Sequence, residues 1–160
     1  MILQTARISS EEKEEETVLV VTVAVSNKTV AFLQEGIKEI TRSSSLTPIP
    51  GMPESVVGLV NLRGEPEALL DFRSLVSISK EPPLQVFQIL LGEMGELRAA
   101  LYVDEVLDLL DVPKQDIIPP PSDLDENLKP LLVGEISYGD EKIPLFSFSH
   151  TLARLARRDS

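Results

Sequence analysis

The sequence predicts a mainly β protein built from two small β-barrels. About ten short apolar segments run along the chain, separated by turn-forming Gly, Pro, Asn and Asp residues. Only the carboxyl-terminal segment has helical periodicity. The 160 residues are 42% hydrophobic, which is enough for one core or for two small lobes that share an interface. Short strands in two groups favour barrels over a parallel α/β sheet.

The first half of the chain opens with a hairpin of β-branched strands, because a short polar turn separates two runs rich in valine and threonine. A serine-rich turn then leads into a proline-punctuated connection that ends at Pro53. Asn61 and Gly64 bracket a tight turn after a further apolar strand. The predicted strands of this half are residues 18–25, 29–33, 37–41 and 57–62, with one more strand after the turn, within residues 65–73.

The second half repeats this pattern after a break at residues 80–84. Pro82 and Pro83 interrupt the chain there, because proline cannot donate to a strand ladder, and we expect the boundary between two lobes nearby. Ser149 is the predicted N-cap of a helix over residues 150–158. The predicted strands of this half are residues 84–91, 97–103, 106–110, 131–137 and 142–148.

Composition and charge exclude several kinds of partner. The net charge is −11, and nucleic-acid binding requires concentrated positive charge, so we expect no nucleic-acid partner. No segment approaches the ~20 apolar residues that cross a bilayer, so we expect a soluble protein without membrane insertion. The absence of cysteine suits a reducing cytoplasm. Residues 1–16 predict an acidic, flexible tail, and residues 17–157 predict a single domain.

The sequence offers little catalytic equipment. His150 is the only histidine, and the usual local motifs of nucleotide-binding, hydrolytic and zinc sites are absent. Alternation along a strand spreads the remaining acidic candidates over both faces of a hairpin. We therefore expect no enzymatic activity, no metal site and no cofactor. Those acidic candidates are Asp104, Glu105, Asp108 and Asp111.

Arg63 lies at the bend of the most informative stretch, which reads Gly58-Leu59-Val60-Asn61-Leu62-Arg63-Gly64 and leads into Asp71-Phe72-Arg73. An arginine between two apolar segments requires an acidic partner. Together with the preceding block Pro48-Ile49-Pro50-Gly51-Met52-Pro53, this stretch resembles the CheW family of chemotaxis coupling proteins. The resemblance covers residues 18–155, with Phe72 in place of the family's leucine.

The resemblance implies a fold, a role and partners. The fold is two five-stranded SH3-like barrels packed together, with short helices that include a carboxyl-terminal one. The role is a non-enzymatic adaptor that couples chemoreceptors, the methyl-accepting chemotaxis proteins, to a CheA-type histidine kinase in a cytoplasmic signalling array. The partners are the receptor's signalling hairpin and the kinase's regulatory domain. The implied contact candidates are Ile37, Glu39, Gly58, Asn61, Leu62, Arg63 and Gly64.

The same residues also have a structural interpretation. A partly buried Arg63 is tolerable only when paired, and Glu39 is the acid we nominate. Alternation in a strand places Asp71 and Arg73 on one face, where they form a local ion pair. Gly58 most simply allows a close backbone approach. Both interpretations stay open at this point.

Two departures from the family pattern leave alternatives for the function. Glu65-Pro66-Glu67 replaces aliphatic residues, moves the proline and adds two negative charges. Ser147 stands where many relatives have aspartate, and Pro144 requires a strand edge or a bulge. One alternative is a specialised paralogue that binds receptors with weak or no kinase coupling. Another is a small-ligand-binding β module that uses the groove between the lobes as a pocket.

Overall fold

The computed structural model describes residues 16–159 and contains eleven strands and one α-helix in that range. Short 3₁₀ turns occur at Phe72–Ser74 and Lys114–Asp116. The predicted tail falls almost entirely outside the described residues. The elements are β1 (Thr17–Val25), β2 (Lys28–Leu33), β3 (Ile37–Ser43), β4 (Leu46–Thr47), β5 (Val56–Leu62), β6 (Glu65–Leu70), β7 (Phe87–Met94), β8 (Leu97–Val103), β9 (Glu105–Pro113), β10 (Leu132–Tyr138), β11 (Glu141–Phe146) and α1 (Phe148–Asp159).

The strands form two curled sheets. The first has five strands in the order β10-β11-β2-β1-β9, and the second has six in the order β3-β7-β8-β6-β5-β4. Most neighbours are antiparallel, with short parallel pairings between β11 and β2 and between β6 and β8. The mainly β class with a carboxyl-terminal helix is therefore confirmed.

The predicted boundary near residues 80–84 does not coincide with a change of sheet. The strands on either side of that segment, β6 and β7, both belong to the second sheet and flank β8. The first sheet instead combines both ends of the chain, because β9 returns to pair with β1. Prolines interrupt a strand locally, but they carry no information about which sheet the next strand joins.

In each sheet, a contact links strands that are distant in the strand order. Ile118, which follows β9, forms a bridge with Glu135 of β10 at the opposite end of the first sheet. In the second sheet, Arg63 of the β5–β6 turn contacts Glu39 of β3. Each curled sheet therefore encloses its own small core. The first core includes Val20, Ala31, Ile136 and Leu145, and the second includes Val60, Phe87, Ile89 and Leu91.

β1 is buried on both faces along most of its length because it contributes to two cores. Val20 belongs to the core of the first barrel, whereas Val21 and Val23 belong to a larger core between the sheets. Adjacent strand residues point to opposite faces, so a strand covered on both sides needs apolar residues at every position. This requirement explains the continuous β-branched run in the sequence.

The core between the sheets contains four of the five phenylalanines. Their ring centroids lie 4.9 to 6.1 Å apart, mostly in edge-to-face contacts. Apolar burial of this kind is strongly stabilising but has no directional preference. The four residues are Phe32, Phe72, Phe146 and Phe148.

Helix α1 begins at Phe148, two residues earlier than predicted. The predicted cap at Ser149 is wrong, because Ser147 Oγ accepts the hydrogen bond from His150 N at 3.2 Å. Gly92 of β7 makes room for the helix, since a Cβ there would lie 2.7 Å from Phe148 Cε2. Among the described residues, no helix is long and apolar enough to span a membrane.

Candidate partner-binding surface

Arg63 and Gly64 are the two central residues of the tight turn between β5 and β6. Their φ angles are 55° and 84°, which match the two positive values of a type I′ turn. Asn61 Oδ1 accepts a hydrogen bond from Gly64 N at 2.8 Å and fixes the turn. Asn, Asp or Gly is usual at these positions, so arginine costs about 1 kcal/mol of backbone strain here.

The Arg63 side chain extends from this turn to β3, where its Nη2 lies 2.5 Å from Glu39 Oε1. The side chains of Arg63 and Glu39 are 75% and 33% exposed, so the guanidinium is not the partly buried group that the sequence suggested. An exposed ion pair contributes about 0 to 1 kcal/mol, which at most offsets the strain of the turn. Stability alone therefore does not explain an arginine at this position.

The other contact candidates differ in exposure. Asn61 and Gly64 are exposed beside Arg63. Leu62 is half-buried against the core of the second barrel, and Ile37 is half-buried against the core between the sheets. The structure therefore brings the polar candidates together at one end of the second barrel.

Gly58 differs from the other candidates because it is buried. A Cβ at this position would lie 2.7 Å from the carbonyl oxygen of Thr47 in β4. The missing side chain therefore allows β4 to approach β5, which is the architectural interpretation. Gly58 shapes the sheet and presents no exposed surface of its own.

Three leucines that the sequence interpretation did not single out form an uncovered apolar face. Leu19, Leu107 and Leu109 are 52%, 36% and 68% exposed. The register pairs Leu109 with Val21, so both lie on the same face of the β1–β9 pair as Leu19. Val21 is fully buried between the sheets. This leucine face (Leu19, Leu107, Leu109) is therefore the open end of a surface that the second sheet covers elsewhere.

The leucine face adjoins the start of β3. Gln34 N donates a hydrogen bond to Leu19 O at 2.9 Å, and Ile37 N donates to Gln34 O at 2.9 Å. A signal for this face was present in Leu109-Leu110, because neighbouring strand residues point to opposite faces and one barrel interior buries only one of them. Without the sheet order, however, the sequence does not show which face stays open.

Asp71 and Arg73 form a buried, bidentate ion pair. Arg73 Nε donates to Asp71 Oδ1 at 2.8 Å, and Nη2 donates to Oδ2 at 3.1 Å. Strand alternation is not what brings them together, because Arg73 lies in the 3₁₀ turn after β6. Asp71 also caps that turn by accepting a hydrogen bond from Arg73 N at 3.0 Å.

The acidic residues near β9 do not converge on one site. Asp104 accepts hydrogen bonds from Ser26 N at 2.8 Å and from Tyr102 Oη at 2.6 Å. Burial and this hydrogen bond raise the pKa of Tyr102 to about 12. Asp108 and Asp111 lie on opposite faces of β9. In the part of the chain that the structure describes, no group of three His, Cys, Asp or Glu side chains is arranged to hold a metal ion.

Surface depressions lie beside the Glu39–Arg63 pair and in the seam between the sheets. One of about 150 Å³ adjoins Glu39 and Arg63, and it is smaller than the ~300–1,000 Å³ of usual small-molecule sites. It is better matched to a side chain of a protein partner. The other, of about 360 Å³, lies in the seam between the sheets beside the exposed Leu84 and Val86.

Comparison with known proteins gives a consistent result. The family model of the CheW-like domain matches residues 14–154. Protein FrzA of Myxococcus xanthus is 32% identical over 125 residues, which is 78% of each chain. The chemotaxis protein CheW of Rhizobium meliloti is 32% identical over 85 residues, which is 53% of this chain and 55% of that one.

A solved structure has the same fold. The crystal structure of scaffolding protein TtCheW from Thermoanaerobacter tengcongensis matches with a TM-score of 0.68 and 22% sequence identity. The match covers 83% of this chain and 90% of that chain. The two curled sheets therefore correspond to the paired SH3-like barrels of that fold.

Proposed function

Because the chain belongs to the CheW-like domain family of chemotaxis scaffold and adaptor proteins, we propose that it couples chemoreceptors to a CheA-type histidine kinase. It acts without chemistry of its own, in the cytoplasm at receptor arrays. Binding both partners at once raises their effective concentration and links receptor state to kinase activity.

The observation that carries this proposal is the leucine face. Leu19 and Leu109 are more than half exposed, although Val21, which pairs with Leu109 and lies two residues from Leu19 on the same strand face, is fully buried. An amphipathic helix of a receptor hairpin covers such a surface by placing its apolar stripe against it. Burying these leucines in a complex removes apolar area from water and so favours binding.

The Glu39–Arg63 pair adds a polar region to this surface. Strand β3 connects it to the leucine face, because the leucine face adjoins the start of β3 and Glu39 lies further along that strand. Arg63 has several N–H donors and contacts Glu39 through Nη2. Its other N–H donors can form hydrogen bonds with acceptors on the receptor hairpin. A strained backbone conformation that adds little to stability is typical of a binding site.

The test titrates the protein separately with the receptor signalling hairpin and with the kinase regulatory domain of the same cell. We expect wild type to bind both. Leu109→Ser weakens receptor binding by about tenfold or more, because a central apolar contact is lost. Ile118→Ser is the matched control, since Ile118 is also an exposed apolar residue but follows β9 on the far side of the first barrel from the start of β3.

The outcomes separate the alternatives. Receptor binding without kinase binding identifies a specialised paralogue, with the exposed Glu65 and Pro66 as the altered flank. Folded protein that binds neither partner contradicts the proposal. Stabilisation against heat by a metabolite mixture would then favour the small-ligand module, with the seam beside Leu84 and Val86 as its site.

A further inference from the structure

A buried polar network connects the two sheets around Arg73. Besides its ion pair with Asp71, Arg73 donates from Nη1 to Ser26 Oγ and to the carbonyl oxygen of Glu81, each at 2.8 Å. Ser26 lies in the tip of the β1–β2 hairpin of the first sheet, and Glu81 lies in the connection between β6 and β7. One guanidinium therefore contacts three separate parts of the chain.

The network continues through Asp104 and Tyr102. Ser26 N donates to Asp104 Oδ2 at 2.8 Å, and Tyr102 Oη donates to Asp104 Oδ1 at 2.6 Å. Leu84 N donates to Tyr102 Oη at 3.0 Å, and the Arg73 guanidinium carbon lies 5.4 Å from the centre of the Tyr102 ring. These contacts attach the hairpin of the first sheet and the residue 79–86 connection to the second sheet.

We propose that Arg73 is a positioning residue that fixes the orientation of the first sheet on the second. The core between the sheets is apolar and sets no direction by itself. Hydrogen bonds from a planar guanidinium are directional, so they select one orientation among those that bury similar apolar area. A buried polar group can specify a unique structure in this way.

The Ser26 backbone supports this interpretation. Ser26 and Asn27 have φ angles of 47° and 67°, so a serine occupies a left-handed position where glycine or asparagine costs less. The Ser26 side chain is nonetheless buried and accepts the Arg73 hydrogen bond. The strained backbone at Ser26 therefore occurs at the residue that makes the contact with Arg73 between the sheets.

The network is linked to the leucine face through β1 and β9. Asp104 N donates to Ala24 O at 2.9 Å, and β9 begins at the next residue. Leu107 and Leu109 follow within that strand, so a rotation of the hairpin tip moves the leucine face relative to β3. This last step rests on the proposed function, whereas the orientation itself does not.

The test measures the orientation of the sheets without any partner. Residual dipolar couplings of backbone amides from both sheets fit one alignment frame in wild type. In Ser26→Ala and Arg73→Lys we expect each sheet to fit separately but the two no longer to fit together. Lysine has three donors on a single nitrogen in place of the five donors of the planar guanidinium, so it does not reproduce the two-point pair with Asp71 together with the contacts to Ser26 and Glu81.

Receptor affinity is the second readout, and we expect it to fall about fivefold or more in both variants. Ile136→Val is the control, because Ile136 belongs to the first barrel's own core in β10 and its loss of one methylene lowers stability without touching the network. Ser26→Ala keeps the ion pair with Asp71, so it remains informative if Arg73→Lys does not fold.

One result overturns the inference: a single common alignment frame in both variants, with only a loss of stability like that of Ile136→Val. A changed orientation with receptor affinity equal to wild type supports Arg73 as the positioning residue and overturns only the link to the leucine face. If wild type binds no receptor, the proposed function fails, but the dipolar couplings still decide whether Arg73 sets the orientation.

Discussion

Individual side chains in this protein occupy conformations that a stable fold alone would not select. Arg63 has a φ angle of 55° in a turn where asparagine or glycine costs less, and it makes an exposed ion pair with Glu39. Arg73 makes the opposite kind of contact, because it is buried and its donors reach several acceptors. We therefore propose different roles for the two arginines, Arg63 in binding and Arg73 in architecture.

Arg63→Asn is expected to separate stability from binding. Asparagine relieves about 1 kcal/mol of backbone strain and loses an exposed ion pair worth about 0.5 kcal/mol, so the free energy of unfolding rises by about 0.5 kcal/mol or stays unchanged. Receptor binding falls at the same time. Urea unfolding and titration with the receptor hairpin measure the two effects. Glu39→Gln is the control, since it removes the pair without changing the turn, and a loss above about 1 kcal/mol in Arg63→Asn contradicts the argument.

Tyr102 predicts a specific alkaline transition. Burial and the hydrogen bond to Asp104 raise its pKa in the folded state to about 12, above its unfolded value of about 10. Its contribution to stability is therefore complete below pH 10 and is lost as the pH rises to about 12, because the unfolded state gives up its proton first.

The expected loss is about 1 to 2 kcal/mol, which is less than the full linkage value because the hydrogen bonds of the hydroxyl are only partly buried. Denaturant unfolding at closely spaced pH values measures it. Tyr102→Phe serves as the control, since its stability should lack this component of the pH dependence. An identical slope in both proteins between pH 10 and 12 would refute the assignment.

Among the secondary structure elements, helix α1 is the one whose N-cap was predicted at the wrong residue. The predicted cap is Ser149, but Ser147 Oγ accepts the hydrogen bond from His150 N. The helix therefore begins two residues earlier than predicted. Its first residue, Phe148, packs in the core between the sheets. Aspartate at this position would be an equally good capping residue.

Ser147→Ala is expected to lower the free energy of unfolding by about 1 kcal/mol, because the first turn of α1 loses its capping acceptor. Ser149→Ala is the matched control and is expected to change stability by less than about 0.5 kcal/mol, since Ser149 lies inside the helix and makes no cap. Thermal and urea unfolding measure both variants. Equal effects at the two positions would show that Ser147 is not the cap.

Each sheet combines strands from both halves of the chain, and this affects how the protein folds. The first sheet takes β1 and β2 from the amino-terminal half and β9 to β11 from the carboxyl-terminal half. The second sheet also spans the proline-rich break, because β7 and β8 follow it and β3 to β6 precede it. Neither barrel is complete in either half.

Fragments 1–83 and 84–160 are therefore expected to remain unfolded separately, because each exposes unpaired strand edges and an open core. Mixed together, they are expected to recover the β spectrum of the intact protein. Far-ultraviolet circular dichroism with cooperative thermal unfolding measures this. Cooperative unfolding of either fragment alone would mean that a barrel forms from one half of the chain.

Most of the strands and the Arg63 turn follow from the sequence because they depend on neighbouring residues. Strand alternation, the bracketing Asn61 and Gly64, and the β-branched run of β1 act over a few positions. The pairing of β9 with β1, the open leucine face and the contact of Ser26 with Arg73 join residues far apart in the chain. Hydrophobic burial has no direction and does not specify which apolar strand covers another. Those pairings were therefore decided by how the two sheets closed and packed together, and they determine which leucines remain exposed.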